Sequence, residues 1–353
     1  MRKLLIGTTA LVAVGMAADG ALAAEKINLG LGGYWRGFLV AGDAGDNTRN
    51  HGVAREGEIY FAGETTLDNG IRFGVNVQLE AETSTDQIDN STMFVAGGFG
   101  RVILGSFWGP GVAMHYQGPG DKLSGHGNFA THVHAQRPTG NTAATNHNTY
   151  VSIGANYDQI AYYTPRIAGF QVGVGYVPDA TEEKANGLRT DNDSGQKSEI
   201  FQAGVNYQGN FNDVGVNLSA VYGSVGQDET AGANVKPRSY ALGGNVSFAG
   251  FSVGGSYKNY DSDASTGDST TWEVGAAYGM GPYAIGLTYA DNSVDDTGGD
   301  DELTYVALTG SYTLGPGVSL QGGVQHYEWD DGAGVATAED KQTVFVIGTV
   351  LNF

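Results

Sequence analysis

Five of the seven histidines in this chain, His115, His126, His132, His134 and His147, fall within one stretch, residues 107–157. In His132-Val-His134 the spacing of two puts both imidazoles on one side of an extended chain. Two imidazoles so placed suit a metal ion or a charge that changes near neutral pH. A closed metal site needs further ligands, which the sequence does not fix, and solvated loop residues account for the same pattern. Asp121, Lys122 and Arg137 add charge of both signs to the stretch. A second set of charges recurs at alternating positions: Glu58 and Glu64, then Arg72, Glu80 and Glu82, with Arg36 and Arg101 in neighbouring segments. A third lies in acidic runs, Asp261 and Asp263; Asp291, Asp295, Asp296, Asp300, Asp301 and Glu302; Asp330 and Asp331. Their oxygens suit calcium or magnesium, although none follows the D-x-[DN]-x-[DN]-G order of a calcium loop. Catalysis and cofactor binding have little to rest on. No G-x-S-x-G turn is present, Ser319 and His326 sit at opposite parities, and glycine patterns lack the strand-to-helix context of a phosphate loop. There is no cysteine, which removes disulfides and thiolate metal sites.

The elements that must hold these charges are strands. In IRFGVNVQLEAET, residues 71–83, one parity is Ile71, Phe73, Val75, Val77, Leu79 and Ala81, and the other is Arg72, Gly74, Asn76, Gln78, Glu80 and Glu82. Such alternation is a half-buried strand. GEIYFAGETTL repeats it, and Asp68-Asn69-Gly70 between the two is a tight turn. Sixteen segments of this kind follow one another: 27–40, 56–67, 71–83, 88–97, 100–106, 158–166, 169–177, 197–208, 213–224, 238–248, 250–258, 270–280, 282–290, 302–314, 318–329 and 343–353. The joins alternate long and short, with 84–87 the one brief member of the long set. All long connections then lie at one end and all short ones at the other, the pattern of an outer-membrane barrel. Glycine, 57 residues, comes with 19 tyrosines and 14 phenylalanines, so the chain is not of low complexity. The formal net charge of −20 disfavours nucleic acid as a partner.

Three features place the barrel in a membrane. Residues 1–23 read as a secretory signal peptide, with Arg2 and Lys3, an apolar stretch from Leu4 to Val14, and an Ala21-Leu22-Ala23 cleavage pattern, leaving 24–353 as a single barrel domain. Tyr163, Tyr176, Tyr207, Tyr222, Tyr257, Tyr278, Tyr283, Tyr289 and Tyr312 stand at strand ends, where aromatic girdles meet headgroups. The last strand carries Phe345, Ile347, Thr349, Leu351 and Phe353 on one parity, and pairing it with the first strand leaves no open edge. The charged parity then faces inward, since a mid-depth Arg or Lys on the lipid face costs ~2–4 kcal/mol.

GEIYFAGETTLDNGIRFGVNVQLEAE (57–82), FGRVILGSFWGPG (99–111), DQIAYYTPRIAGFQVGVGYVPD (158–179) and LGPGVSLQGGVQHYEWDD (314–331), with a final strand ending in Phe353, resemble the general porins of Gram-negative bacteria, most closely the alphaproteobacterial type. The resemblance runs through the whole mature chain. It implies a sixteen-stranded antiparallel transmembrane barrel in the outer membrane, a homotrimer in contact with lipid and lipopolysaccharide, passing small hydrophilic solutes without cofactors. It implies that the strand ending in Phe353 is read by the assembly machinery, and that the third external loop, 107–157, folds inward as a constriction bearing Asp121, Lys122, His132, His134 and Arg137. Arg36, Glu58, Glu64, Arg72, Glu80, Glu82 and Arg101 are then the pore wall. Pairing across the 68–70 turn sets Glu58 opposite Glu80, a like-charge pair for which Arg36 is the natural neutralising cation. Acids in excess point to a weak preference for cations. The acidic outer loops are candidates for bound calcium or magnesium. A substrate-selective channel of the same fold, or a non-conducting adhesin, shares most of these features.

Overall fold

The computed structural model describes residues 26–43, 49–81, 87–120, 123, 135, 137–138, 140–143, 148–180, 197–228, 235–332 and 341–353. The described strands, in chain order, are β1 (Gly30–Asp43), β2 (His51–Thr66), β3 (Arg72–Glu80), β4 (Ile88–Gly97), β5 (Gly100–Ser106), β6 (Asp158–Tyr163), β7 (Phe170–Asp179), β8 (Lys197–Phe211) and β9 (Val214–Ser224). They continue with β10 (Gln227–Asp228), β11 (Arg238–Phe248), β12 (Phe251–Asp261), β13 (Ser269–Met280), β14 (Tyr283–Val294), β15 (Asp301–Gly315), β16 (Val318–Asp330) and β17 (Lys341–Asn352). The one described helix is a single turn, α1 (Pro110–Ala113), with proline in its first turn, where a missing N–H costs nothing. No described helix is long and apolar enough to cross a membrane.

Sixteen long strands match the sixteen expected. The two-residue β10 is an added outer rung, pairing Gln227 with Ser198 at the start of β8. Every neighbour is antiparallel, and β1 pairs β17 from Tyr34↔Asn352 to Asp43↔Thr343, which closes the barrel. The seam ends in two reciprocal backbone bonds, Phe353 N–H to Gly33 O at 3.0 Å and Gly33 N–H to Phe353 O at 2.9 Å. β2 begins at His51, five residues earlier than its alternation suggests, because it pairs the outer half of β1 through His51↔Ala41.

The apolar parity faces outward. Ile347 is 60% exposed and Leu287 52%, whereas Gln202, Gln325 and Glu273 are buried. A water-soluble barrel would show the reverse. Outward rings pair across strands in two belts on β7–β15. Near the short turns lie Phe170–Tyr207 at 4.9 Å, Phe251–Tyr278 at 4.3 Å and Tyr283–Tyr312 at 4.8 Å. Higher up lie Trp272–Tyr289 at 5.2 Å and Tyr240–Tyr257 at 6.2 Å. Tyr163 departs from the expected girdle. Its pairing with Arg101 turns it inward, where it packs with Met114, Val151, Val221 and Ala241. The inner face is not polar throughout: Phe38, Leu303, Tyr305, Tyr327, Trp329, Val344 and Val346 form an apolar patch inside the barrel, covered by Leu123 and Ala143 of the long 107–157 segment. Residues 1–23 lie outside the described residues.

Candidate functional site

The described residues of the segment 107–157 form a strap laid along the inner wall. Its outgoing pass is fixed one backbone group at a time. Gly111 N–H donates to Gln202 Oε1 on β8 at 3.1 Å, and Met114 O accepts from Asn206 Nδ2 at 3.2 Å. Tyr116 N–H donates to Ser219 Oγ on β9 at 2.8 Å, and Gly118 N–H to Glu273 Oε1 on β13 at 2.7 Å. Gly120 then lies so close to β14 that an added Cβ would stand 2.2 Å from Leu287 O, so only glycine permits this approach. The return pass is held higher. Thr142 donates through N–H and Oγ1 to Asp301 Oδ2 at 2.5 and 2.8 Å. Asn141 Nδ2 donates to Asp330 O at 2.7 Å, and Lys258 Nζ to Asn148 O at 3.0 Å. These partners matter because a loop inside a barrel must satisfy its own backbone groups.

The two passes are cross-linked through His115. Glu273 is buried, and a carboxylate there can only accept, so Ser256 Oγ–H donates to it at 2.8 Å. Ser256 must then accept from Thr149 Oγ1–H at 2.5 Å, and Thr149 from His115 Nε2–H at 3.0 Å. Nδ1 of the same ring is left to accept from Ser219 Oγ–H at 3.2 Å. Burial, with Lys258 as the smaller cause, lowers the His115 pKa from 6.5 to about 3, so the ring is neutral at ordinary pH. Burial also raises the Tyr150 phenol above its ordinary value; its ring lies 6.0 Å from that of Trp108.

Among the described residues the strap is fastened mainly from β8 round to β16, with one further bond to β4, Asn156 Nδ2 to Asp89 Oδ1 at 2.6 Å, and β1–β5 carry the charged groups of the opposite wall. Arg36, expected between Glu58 and Glu80, makes an ion pair with Glu56, at 2.6 Å, with its guanidinium 4.1 Å from the Tyr34 ring centroid, and its charge also acts on Glu58. The register explains this, since Arg36 is level with Glu56 while Tyr34 is level with Glu58. The Tyr34 hydroxyl sits between the carboxylates, bonded to Glu56 and, at 2.7 Å, to Glu58. Glu58 does pair with Glu80 across β2 and β3. Below them Asn90 Nδ2 donates to Gln78 Oε1 at 2.6 Å, and near the short turns Arg72 meets Glu64 at 3.4 Å. Arg101 lies 4.1 Å from the Phe94 ring centroid. Arg137 hydrogen-bonds Thr142 O and Ala143 O, at 3.3 and 3.0 Å, and so braces the strap.

Glu82, Asp121, Lys122, His132 and His134 lie outside the described residues. Among the described residues no group of three His, Cys, Asp or Glu is placed to hold a metal. Tyr34, Glu56 and Tyr60 escaped the sequence reading although they share parity with Arg36 and Glu58. Glu273 also escaped it, and Asp301, read as one acid of an outer run, is instead buried and holds Thr142, because nothing local says that an acid will meet a loop far away in sequence.

A family model described as Gram-negative porin matches residues 7–332. No curated protein matches the sequence significantly. Solved structures similar to this chain include an anion-selective porin from Comamonas acidovorans and the trimer form of the outer-membrane protein OmpT of Vibrio cholerae. Each is 16% identical with a TM-score of 0.65, covering 93% of this chain and 100% of the other. A mutant porin of Rh. blastica is 19% identical with a TM-score of 0.58, covering 92% of this chain and 100% of its own. At these identities the likeness is one of fold.

Proposed function

Since the chain belongs to the Gram-negative porin family and is an outer-membrane channel for passive diffusion of small hydrophilic solutes, we propose that solutes pass between the strap and the β1–β5 wall, with a weak preference for cations. The observation that carries the selectivity reading is the composition of that wall. Glu56, Glu58, Glu64 and Glu80 face Arg36, Arg72 and Arg101, and the one nearly buried arginine is already paired with Glu56. Rings of fixed charge raise the local concentration of the opposite ion. The proposed constriction groups of the strap are Asp121, Lys122, His132, His134 and Arg137. The test is the reversal potential of single channels under a salt gradient. Wild type should carry a cation-side potential, and Arg36→Gln should move it further the same way. An anion-side potential for wild type would sink the reading.

A homotrimer is the proposed assembly. Exposed Tyr and Trp belts run along β7–β15, whereas the exposed large apolar residues of β16, β17 and β1–β5 are Leu, Ile, Val, Met and Phe, among them Leu31, Leu39, Phe61, Met93, Phe345 and Ile347. A face on which Trp35 is the one outward Tyr or Trp of β16, β17 and β1 suits another barrel better than a headgroup layer. Current closing in three equal steps is expected, and single-step closure would argue for monomers. Phe353 is the proposed assembly signal, and the acidic outer loops are the proposed contacts to lipopolysaccharide through calcium or magnesium.

A further inference from the structure

The β1–β5 wall carries a second arrangement, away from the acidic level. Arg72 on β3 and Arg101 on β5 are both register partners of Ala96 on β4, one from each side. Three adjacent strands therefore place two inward cations at one level with a single methyl group between them. At ~4.8 Å per strand their backbones are about 10 Å apart, a gap two long side chains can close on one small ion. Like charges so placed repel unless an anion intervenes.

The two arginines share one acid, Glu64, and hold it loosely. Arg101 lies over the Phe94 ring, its Nε is buried without a hydrogen-bond partner, and among the described residues no carboxylate lies within ion-pair distance of it. Phe94 is itself wedged in place by Gly74, where an added Cβ would come 2.3 Å from the ring. Arg101 thus has a fixed apolar seat for its guanidinium. Arg72 meets Glu64 at 3.4 Å with both side chains 49% exposed, a pairing worth only ~0–1 kcal/mol in water. Glu80, in the acidic level, is eight residues along β3 from Arg72, roughly 26 Å of strand.

We infer that Arg72 and Arg101 form an anion-binding subsite at the periplasmic mouth, which takes the carboxylate or phosphate group of a small solute. The guanidinium fork matches either group through paired N–H donors. Short turns mark the periplasmic end of such a barrel, and both arginines adjoin them, at 67–71 and 98–99. The inference rests on the reading of the chain as a conducting pore.

The test is single-channel current in potassium chloride at pH 7, with inorganic phosphate added to the periplasmic side. The current should fall saturably, and at lower phosphate than when addition is from the loop side. Arg101→Gln and Arg72→Gln should each raise the half-saturating phosphate concentration about tenfold, with Arg101→Lys falling between. Glu64→Gln should lower it, because it frees Arg72, and a merely structural role would not tighten binding. A non-saturating response, or one half-saturation value for wild type and all variants, overturns the subsite. Absence of any channel current would instead overturn the pore reading.

Discussion

Gly243→Ala isolates the docking of the strap from the folding of the barrel. A Cβ at this position on the inner face of β11 would stand 1.9 Å from Tyr116 O, 2.8 Å from His115 Cε1 and 3.0 Å from Ser256 Cβ. Bringing the first contact merely to 3.0 Å displaces the strap by about 1.1 Å, and the only direction open to it is toward the lumen. Overpacking of this size costs roughly 1–3 kcal/mol. The same movement stretches the Tyr116 N–H to Ser219 bond from 2.8 Å and the His115 to Ser219 bond from 3.2 Å, each worth about 0.5–1.5 kcal/mol. Together these approach the whole contribution of the β9–β11 fastening, while the strand ladder itself is untouched. The assay is single-channel recording beside heat-modifiable gel migration. The variant should migrate as a folded barrel yet show lower open conductance or frequent brief closures. Gly315→Ala is the control, because nothing lies within 4 Å of its added Cβ. Wild-type conductance and noise in Gly243→Ala would refute the path assigned to the strap.

His115 gives a pH dependence with a defined sign. Its pKa in the docked strap is lowered from 6.5 to about 3, so a released strap binds a proton that the docked one excludes. Docking is fully supported above pH 6.5 and loses up to about 1.4 kcal/mol per unit as pH falls below it. Closures should become more frequent from pH 7 to pH 4, and His115→Gln should flatten the profile; an equal slope in the variant would refute the assignment. Asp301→Ala leaves Thr142 N–H without its acceptor and should raise current noise at an unchanged unfolding temperature, as the ladder does not depend on that bond. Lys341→Gln breaks the 2.6 Å pair with Glu328, but with side chains 56% and 45% exposed the stability change should stay below about 1 kcal/mol in a denaturant titration.

The barrel was legible because its information is local. A parity repeated sixteen times fixes which residues face out, and turn residues such as Asp68-Asn69-Gly70 fix the register, so that Glu58↔Glu80 could be read from the chain alone. The partner of Arg36 could not. It depends on the offset between β1 and β2, which are joined by a long loop, and an offset of two residues exchanges Glu58 for Glu56. Tyr163 misled for a related reason: tyrosine suits a headgroup belt and a packed interior equally, and only the Arg101 pairing decides. The fastenings of the strap were the least legible. Gln202 and Glu273 look like ordinary inward polar residues, and Asp301 like one acid of an outer run, until a segment some 90 to 160 positions distant is laid upon them.

The seam between β1 and β17 bears on the order in which this molecule can come into being. Gly33 and Phe353 exchange both of their backbone bonds across the closure, so the first strand to be synthesised waits for the last before its free edge is satisfied. Closing so long a loop carries a large entropic cost until the ladder repays it, and topologies dominated by distant pairings assemble slowly. Until the seam shuts, β1 presents an unpaired edge that invites pairing with any other strand, and the chain depends throughout that interval on being kept apart from its own copies.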